Sequence, residues 1–113
     1  DPNQVRQILI NLLTNAVQAT AEHGRITIQT RSISNGVILS VHDNGIGIPK
    51  QDLDKIFEPF FSTKAPKEGT GLGLYVTREI IAKLGGNIEV DSRVGCGTRF
   101  DITMPDQHGL TPD

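Results

Sequence analysis

Three groups of residues in this 113-residue chain have types and spacings that could do chemistry. The first is a pair of asparagines, Asn11 and Asn15, four residues apart in a segment of helical periodicity. At about 100° per residue, Asn15 lies about 20° round the helix from Ile8, on the edge of the apolar stripe, with Asn11 and Gln18 further along that flank. Such amides border a core or cap nearby backbone, and an asparagine carbonyl oxygen also suits a hard cation such as Mg2+. The second is Asp43-Asn44-Gly45-Ile46-Gly47-Ile48-Pro49. These are ordinary turn residues. They equally suit a strand end that presents a carboxylate to a cleft, with glycines that let backbone approach a flat ligand. An ionised aspartate only accepts hydrogen bonds, so it favours adenine, whose exocyclic amine donates, over guanine. The third is Gly69-Thr70-Gly71-Leu72-Gly73-Leu74, alternating glycines ahead of a helix start. Bare N–H groups and the positive end of a helix dipole suit a phosphate there. It is neither a P-loop nor a dinucleotide fingerprint. Lys64 and Lys67, just upstream, could reach a phosphate or remain solvated loop lysines.

These groups need elements to position them. Asp1-Pro2 has the form of a helix start. Val5, Ile8, Leu9, Leu12, Leu13 and Ala16 carry helical spacing onward to about Glu22, before Gly24. Residues 25–33 and 37–42 read as strands around an Asn35-Gly36 hairpin turn. A short helix is expected over 50–57 and loop chemistry over 62–71. A second amphipathic helix covers about 72–84, stopped by Gly85-Gly86. Strands at 87–91 and 98–104 follow, and the last eight residues read as a frayed tail. Helix, hairpin, loop, helix, hairpin implies an α+β, two-layer arrangement. The roughly twenty residues between Gly47 and Gly69 carry little regular structure, which is typical of a lid or binding loop.

Composition narrows the function. A net charge of −2 argues against a general nucleic-acid binder. No apolar run reaches membrane-spanning length, and no signal peptide is visible. The single Cys96 excludes an internal disulfide, and no Cys/His cluster has zinc spacing, so a reducing, cytoplasmic setting is the simplest expectation. His23, His42 and His108 lack a carboxylate at useful spacing, and no Ser/His/Asp arrangement is visible. Phe57, Phe60 and Phe61 bunch within five residues, as in a site built from loops.

Taken in order, Asn11 to Ala16, Asp43 to Pro49, Phe57 to Lys64, Gly69 to Leu74 and Gly95 to Phe100 resemble a known series. It is that of the N, G1, F, G2 and G3 boxes of the ATP-binding catalytic domain of two-component sensor histidine kinases. These belong to a superfamily with gyrase-type ATPases, mismatch-repair proteins and a heat-shock chaperone. One box alone is a weak match; five in sequence, covering residues 1 to about 105, are specific. The Phe-Glu-Pro-Phe-Phe-Ser-Thr-Lys form is similar to the subset that includes nitrogen-regulation kinases.

The resemblance implies an α/β sandwich with a mixed, mostly antiparallel sheet covered by helices on one face. It implies a domain over 1–105 with a lid at about 50–72, and a tail over 106–113. ATP and Mg2+ would be the cofactors. Asn15 would ligate Mg2+, Asn11 would assist at the phosphates, and Asp43 would bind the adenine amine with a water near Thr98. Gly45 and Gly47 would let adenine pack close, with Ile48 and Phe57 also in the nucleotide-binding set. Gly69, Thr70, Gly71, Leu72, Gly73 and Leu74 would line the phosphates, and Phe57, Phe60 and Phe61 would anchor the lid. Gln18 and Phe61-Ser62 stand where many relatives carry basic or aromatic residues, so charge near the γ-phosphate falls to Lys64, Lys67 or a partner domain, with Lys64 favoured.

Hydrolysing members of the superfamily carry a glutamate at the position of Asn11, and an amide cannot act as that general base. Slow hydrolysis and transfer of the γ-phosphoryl group to a protein histidine are therefore expected. The phosphoacceptor context, a histidine followed by an acidic residue, is absent, and so is the strand that usually precedes the first helix. The chain thus reads as a piece of a larger sensor. Its expected partners are a histidine-bearing dimerisation domain of the same kinase and a downstream response regulator. No nucleic acid, no direct membrane contact and a monomeric state are expected, while a membrane anchor in the longer protein stays open. The rivals are a serine-directed anti-sigma-type kinase and a degenerate nucleotide-sensing module.

Overall fold

Proline at a helix start gives up an N–H that would have no partner there anyway, and helix α1 indeed runs Pro2–Ala19. The computed structural model of the chain describes residues 2–61 and 73–105. One face of α1 buries Ile8, Leu12 and Ala16, the i, i+4, i+8 stripe. The helix stops three residues short of the expected Glu22. The Ala19 carbonyl accepts from the Ile46 N–H at 3.0 Å, which takes the place of the next helical bond. His23 then adopts φ +70° and the chain leaves the helix axis.

Strands β1 (Ile26–Ile33) and β2 (Gly36–Asp43) follow, then helix α2 (Gly73–Lys83), β3 (Asn87–Arg93) and β4 (Gly97–Pro105). Ile33 pairs with Gly36, so the hairpin turns on Ser34-Asn35 rather than Asn35-Gly36. None of these three residues has positive φ. Gly36 serves another purpose, because a Cβ there would run into the Met104 carbonyl of β4. The helix expected over 50–57 is only a 3-10 turn at Lys50–Asp52. Successive i−3 bonds follow, from Lys55 to Asp52, Glu58 to Lys55 and Phe61 to Glu58. That tighter winding stacks residues three apart, and Ile56 and Phe57 reach the core from it. α2 ends as expected: Gly85 takes φ +81°, Gly85 N–H bonds Ala82 O and Gly86 N–H bonds Ile81 O. That is the left-handed glycine cap that satisfies two orphan carbonyls.

The sheet order is β1-β2-β4-β3, antiparallel at all three pairings. No parallel pair occurs among the described strands. Because side chains alternate faces, register decides what looks toward the helices. Leu39 and Val41 of β2, with Phe100 and Ile102 of β4, meet Ile8 and Leu12 of α1 and Ile81 of α2 in one core. Both helices therefore cover one face, which is the two-layer α+β arrangement expected. The other face is polar and holds a cavity of about 400 Å³ lined by Gln29, Arg31, Ser40 and Arg99 among others.

Candidate nucleotide site

Continuing the core face one step beyond Val41 reaches Asp43. Register places Asp43 across from Ile26 and Thr98, and Thr98 across from Ser92. The neighbouring rungs are apolar: Val41, Phe100 and Val90, then Leu39, Ile102 and Ile88. The sheet thus ends, on its helix-facing side, in one polar rung of carboxylate and two hydroxyls. Asp43 is 3% exposed. Its Oδ1 accepts the Gly45 N–H at 2.8 Å, a local turn that aspartate favours. No buried polar side-chain atom among the described residues lacks a partner.

The loop after Asp43 is held on both sides. Asn44 Oδ1 accepts the Arg25 N–H at 2.7 Å, and Ile48 N–H donates to Ser92 Oγ at 2.8 Å. Ser92 Oγ also lies 2.8 Å from Thr98 Oγ1 and donates to the Gly97 carbonyl at 2.9 Å. Gly95 N–H bonds the Ile46 carbonyl at 2.8 Å. The glycines are spent on this packing. A Cβ on Gly45 would strike the Ala19 carbonyl, one on Gly47 the Arg93 carbonyl and one on Gly97 the Asp43 carbonyl. Gly47 and Gly97 also have φ of +76° and +108°, which L side chains rarely adopt. At Gly45 and Gly47 the missing side chain admits the chain's own backbone.

A second polar group lies between the helices. Asn11 Nδ2 donates to Thr77 Oγ1 at 3.1 Å and to the Gly73 carbonyl at 3.3 Å. Thr77 Oγ1 donates to the same Gly73 carbonyl at 2.8 Å, and Asn11 Oδ1 accepts from Gln7 Nε2 at 2.9 Å. Asn11 thereby ties α1 to the first turn of α2, where the glycine-rich segment enters the helix. Asn15, one turn further along α1, is half-buried. Among the described residues no group of three or more His, Cys, Asp or Glu converges as a metal site.

Phe57 packs edge-on to Phe100, with centroids 6.4 Å apart and rings at 74°. The Arg78 guanidinium of α2 sits 5.5 Å from its ring centre. An aromatic pair adds about 0.5–1.5 kcal/mol beyond burial, and an exposed cation over a ring about 0.5–1 kcal/mol. Phe61 also packs on the core. Phe60 does not: it is 74% exposed with φ +68°, so of the three phenylalanines expected to anchor the lid, Phe57 and Phe61 pack on the core. Ile48 and Leu74 pack at the core margin, and Gly73 opens α2 with free space on its side-chain face. Lys64, Lys67, Gly69, Thr70, Gly71 and Leu72, the C-terminal part of the lid expected at 50–72, and the tail expected over 106–113 all lie outside the described residues.

The sequence reading passed over two contributors, Ser92 and Thr77. Ser92 looks like any polar residue in an alternating strand, and Thr77 like a helix residue at a core position. Only the pairing of β3 with β4 and of α1 with α2 gives their hydroxyls partners.

Residues 1–108 match the family described as histidine kinase-, DNA gyrase B- and HSP90-like ATPases. The chain belongs to that family. It is 46% identical over 105 residues to the sensor histidine kinase ZraS of Escherichia coli K12, covering 93% of this chain and 22% of that protein. It is 43% identical over 120 residues to the sensor kinase CckA of Brucella abortus, covering 93% of this chain and 13% of that one. The chain thus spans about a fifth or less of these relatives. Among solved structures, the catalytic domain of the histidine kinase ThkA superposes with a TM-score of 0.82 at 41% identity, covering 94% of this chain and 68% of that one. Full-length ShkA in complex with AMPPNP gives 0.82 at 34% identity, over 93% of this chain and 22% of that one. The sheet and the two helices are therefore those of a histidine kinase-type ATP-binding domain. Among the described residues no helix is long and apolar enough to cross a membrane.

Proposed function

We infer that this domain binds Mg-ATP at the Asp43 rung and donates the γ-phosphoryl group to a histidine on a separate dimerisation domain of the same kinase, for relay to a response regulator. The observation that carries this reading is the buried Asp43 carboxylate, anchored through Oδ1 in the polar rung that ends the helix-facing side of the sheet. An acceptor fixed in an apolar surround selects a donor, and adenine presents one where guanine presents an acceptor. A water bridged to Thr98 would complete the contact.

Asn15 and Asn11 are the described residues on the phosphate side. Mg2+ keeps several waters and leans on substrate phosphates, so a site of amide oxygens without a carboxylate cluster fits it. Bound there, the ion would neutralise charge on the phosphates during transfer. Lys64, Gly69, Thr70, Gly71, Leu72, Gly73 and Leu74 are proposed as the phosphate-side and lid contacts. With an amide rather than a carboxylate at position 11, attack by water is disfavoured and the nucleotide survives for transfer.

Calorimetric titration with ATP and GTP, with and without Mg2+, tests the reading against Asp43→Ala. Adenine-selective binding that the substitution abolishes is the expected result. Equal binding of GTP, or ATP affinity unchanged in Asp43→Ala, would refute it. Mixing the ATP-loaded domain with histidine-bearing and serine-bearing partner domains then tests the acceptor.

A further inference from the structure

Asn11 and Thr77 form a junction whose donors and acceptors can be assigned. Thr77 is fully buried on an otherwise apolar helix face, directly before Ile81 one turn on. A threonine hydroxyl has one proton, and here it goes to the Gly73 carbonyl at 2.8 Å. Toward Asn11, Thr77 can then only accept. The Gly73 carbonyl, 3.3 Å from the same amide, also only accepts. Two acceptors side by side admit just one orientation of a primary amide, with its NH2 toward α2. The carbonyl oxygen Oδ1 must then face the other way, toward the exposed side of α1, where Gln7 Nε2 meets one of its lone pairs at 2.9 Å.

We propose that Thr77 is a positioning residue for phosphoryl transfer: its hydroxyl locks the Asn11 amide so that an oxygen, never the NH2, faces the Mg-triphosphate side of the cleft. This deepens the Mg-ATP reading and rests on it. Reversing the amide would aim two N–H donors at a cation and remove a hard ligand atom. With valine at position 77 the lock loses its nearer acceptor, and the burial of a methyl in place of a hydroxyl leaves the packing volume nearly unchanged.

The test begins without nucleotide. The side-chain NH2 resonances of Asn11, identified by their loss in Asn11→Ala, are expected to exchange slowly with solvent in the wild-type domain. Thr77→Val is expected to shift them and expose them to exchange, and Thr77→Ser to leave them protected. ATP is then titrated in EDTA and in MgCl2. The gain in affinity on adding Mg2+ should fall about fivefold in Thr77→Val, the size of one lost hydrogen bond. It should persist in Thr77→Ser, and Thr77→Val should cause no further loss once Asn11 is alanine. If Thr77→Val does not fold, Thr77→Ala takes its place, and the wild-type exchange measurement stands alone. Fast exchange of the wild-type Asn11 NH2 overturns the proposal. So does an Mg2+ gain that survives removal of the hydroxyl, or one lost equally in the Asn11→Ala background. Failure of the wild-type domain to bind ATP at all would instead remove the Mg-ATP reading, and this proposal with it. Asp43-dependent ATP binding with an unchanged Mg2+ gain in Thr77→Val removes only the proposal.

Discussion

The two polar regions of the helix-facing side are built in different ways. At the Asp43 rung, backbone does most of the holding. The sheet register sets Asp43 opposite Thr98, and carbonyls of Ala19, Arg93 and Asp43 occupy the space where side chains of Gly45, Gly47 and Gly97 would project. At the α1–α2 junction, side chains do it: Asn11 bonds both Gln7 and Thr77, and Asn11 and Thr77 share the Gly73 carbonyl. Backbone packing resists any change of shape, whereas a side-chain network tolerates change in shape and fails on change in hydrogen-bonding type. Under the function proposed above, the first suits adenine recognition, since a flat ligand needs a fixed edge. The second suits the proposed phosphate and cation contacts, since their ligand atoms must be chosen among oxygen and nitrogen.

The sharpest way to break this contrast is a methyl group at the rung. Gly97→Ala should destabilise the domain by roughly 3 kcal/mol, from positive φ and the encounter with the Asp43 carbonyl. The melting temperature would fall by roughly 10–20 °C, and ATP binding would go with it, both readable by thermal melts with and without ATP. A rise in stability, or no change, would mean that the rung is not held by backbone packing.

Next in size is Asp43→Asn. It keeps shape and the Gly45 bond but can turn a donor toward the ligand. ATP affinity should fall about 10- to 100-fold, with discrimination against GTP reduced, in the calorimetric assay. At the helix junction, Asn11→Ala should cost about 1–2 kcal/mol in urea unfolding, because the buried Thr77 hydroxyl loses one of its two partners. If Asn11→Ala costs as much as Gly97→Ala, the junction is a structural keystone and the contrast between the regions dissolves.

The smallest effect lies on the far side of the sheet. Burial pushes the Asp101 carboxyl up. The Ser40 hydroxyl at 2.5 Å, the Arg99 guanidinium at 3.0 Å and the charge of Arg31 outweigh it, so its pKa lies below the ordinary 3.8. A depressed carboxylate stabilises the fold above its unfolded pKa, and that contribution is lost as pH falls through the lower folded value. Asp101→Asn should therefore flatten the acid limb of the stability curve below about pH 4, by less than about 1 kcal/mol for a group this exposed. Nucleotide binding at neutral pH should be untouched, because Asp101 points away from the helix-facing rung.

Much of this was legible in the residues. The Ile8, Leu12 and Ala16 stripe, the alternation in each strand and the Gly85-Gly86 stop all report local periodicity and local φ, which a sequence carries directly. Asp43 ahead of two glycines was equally visible as a carboxylate at a strand end. The errors share one cause. α1 ends at Ala19 because Ile46, far along the chain, takes its carbonyl. The hairpin turns one residue early and leaves Gly36 to clear β4. Phe60 is turned outward while its neighbours pack inward.

By itself, then, the order of side chains determined the elements, the face each would bury, and a chemistry of amides, one carboxylate and glycines suited to a nucleotide. These follow from short-range sterics and from the period at which apolar groups recur. Tertiary structure alone decided that Gly45, Gly47 and Gly97 make room for backbone, that Ser92 and Thr98 share a rung with Asp43, and that Thr77 faces Asn11 across two helices. A hydrogen bond binds only at contact distance, and residues 66 positions apart in the chain, as Asn11 and Thr77 are, reach that distance only once the core has brought their helices together.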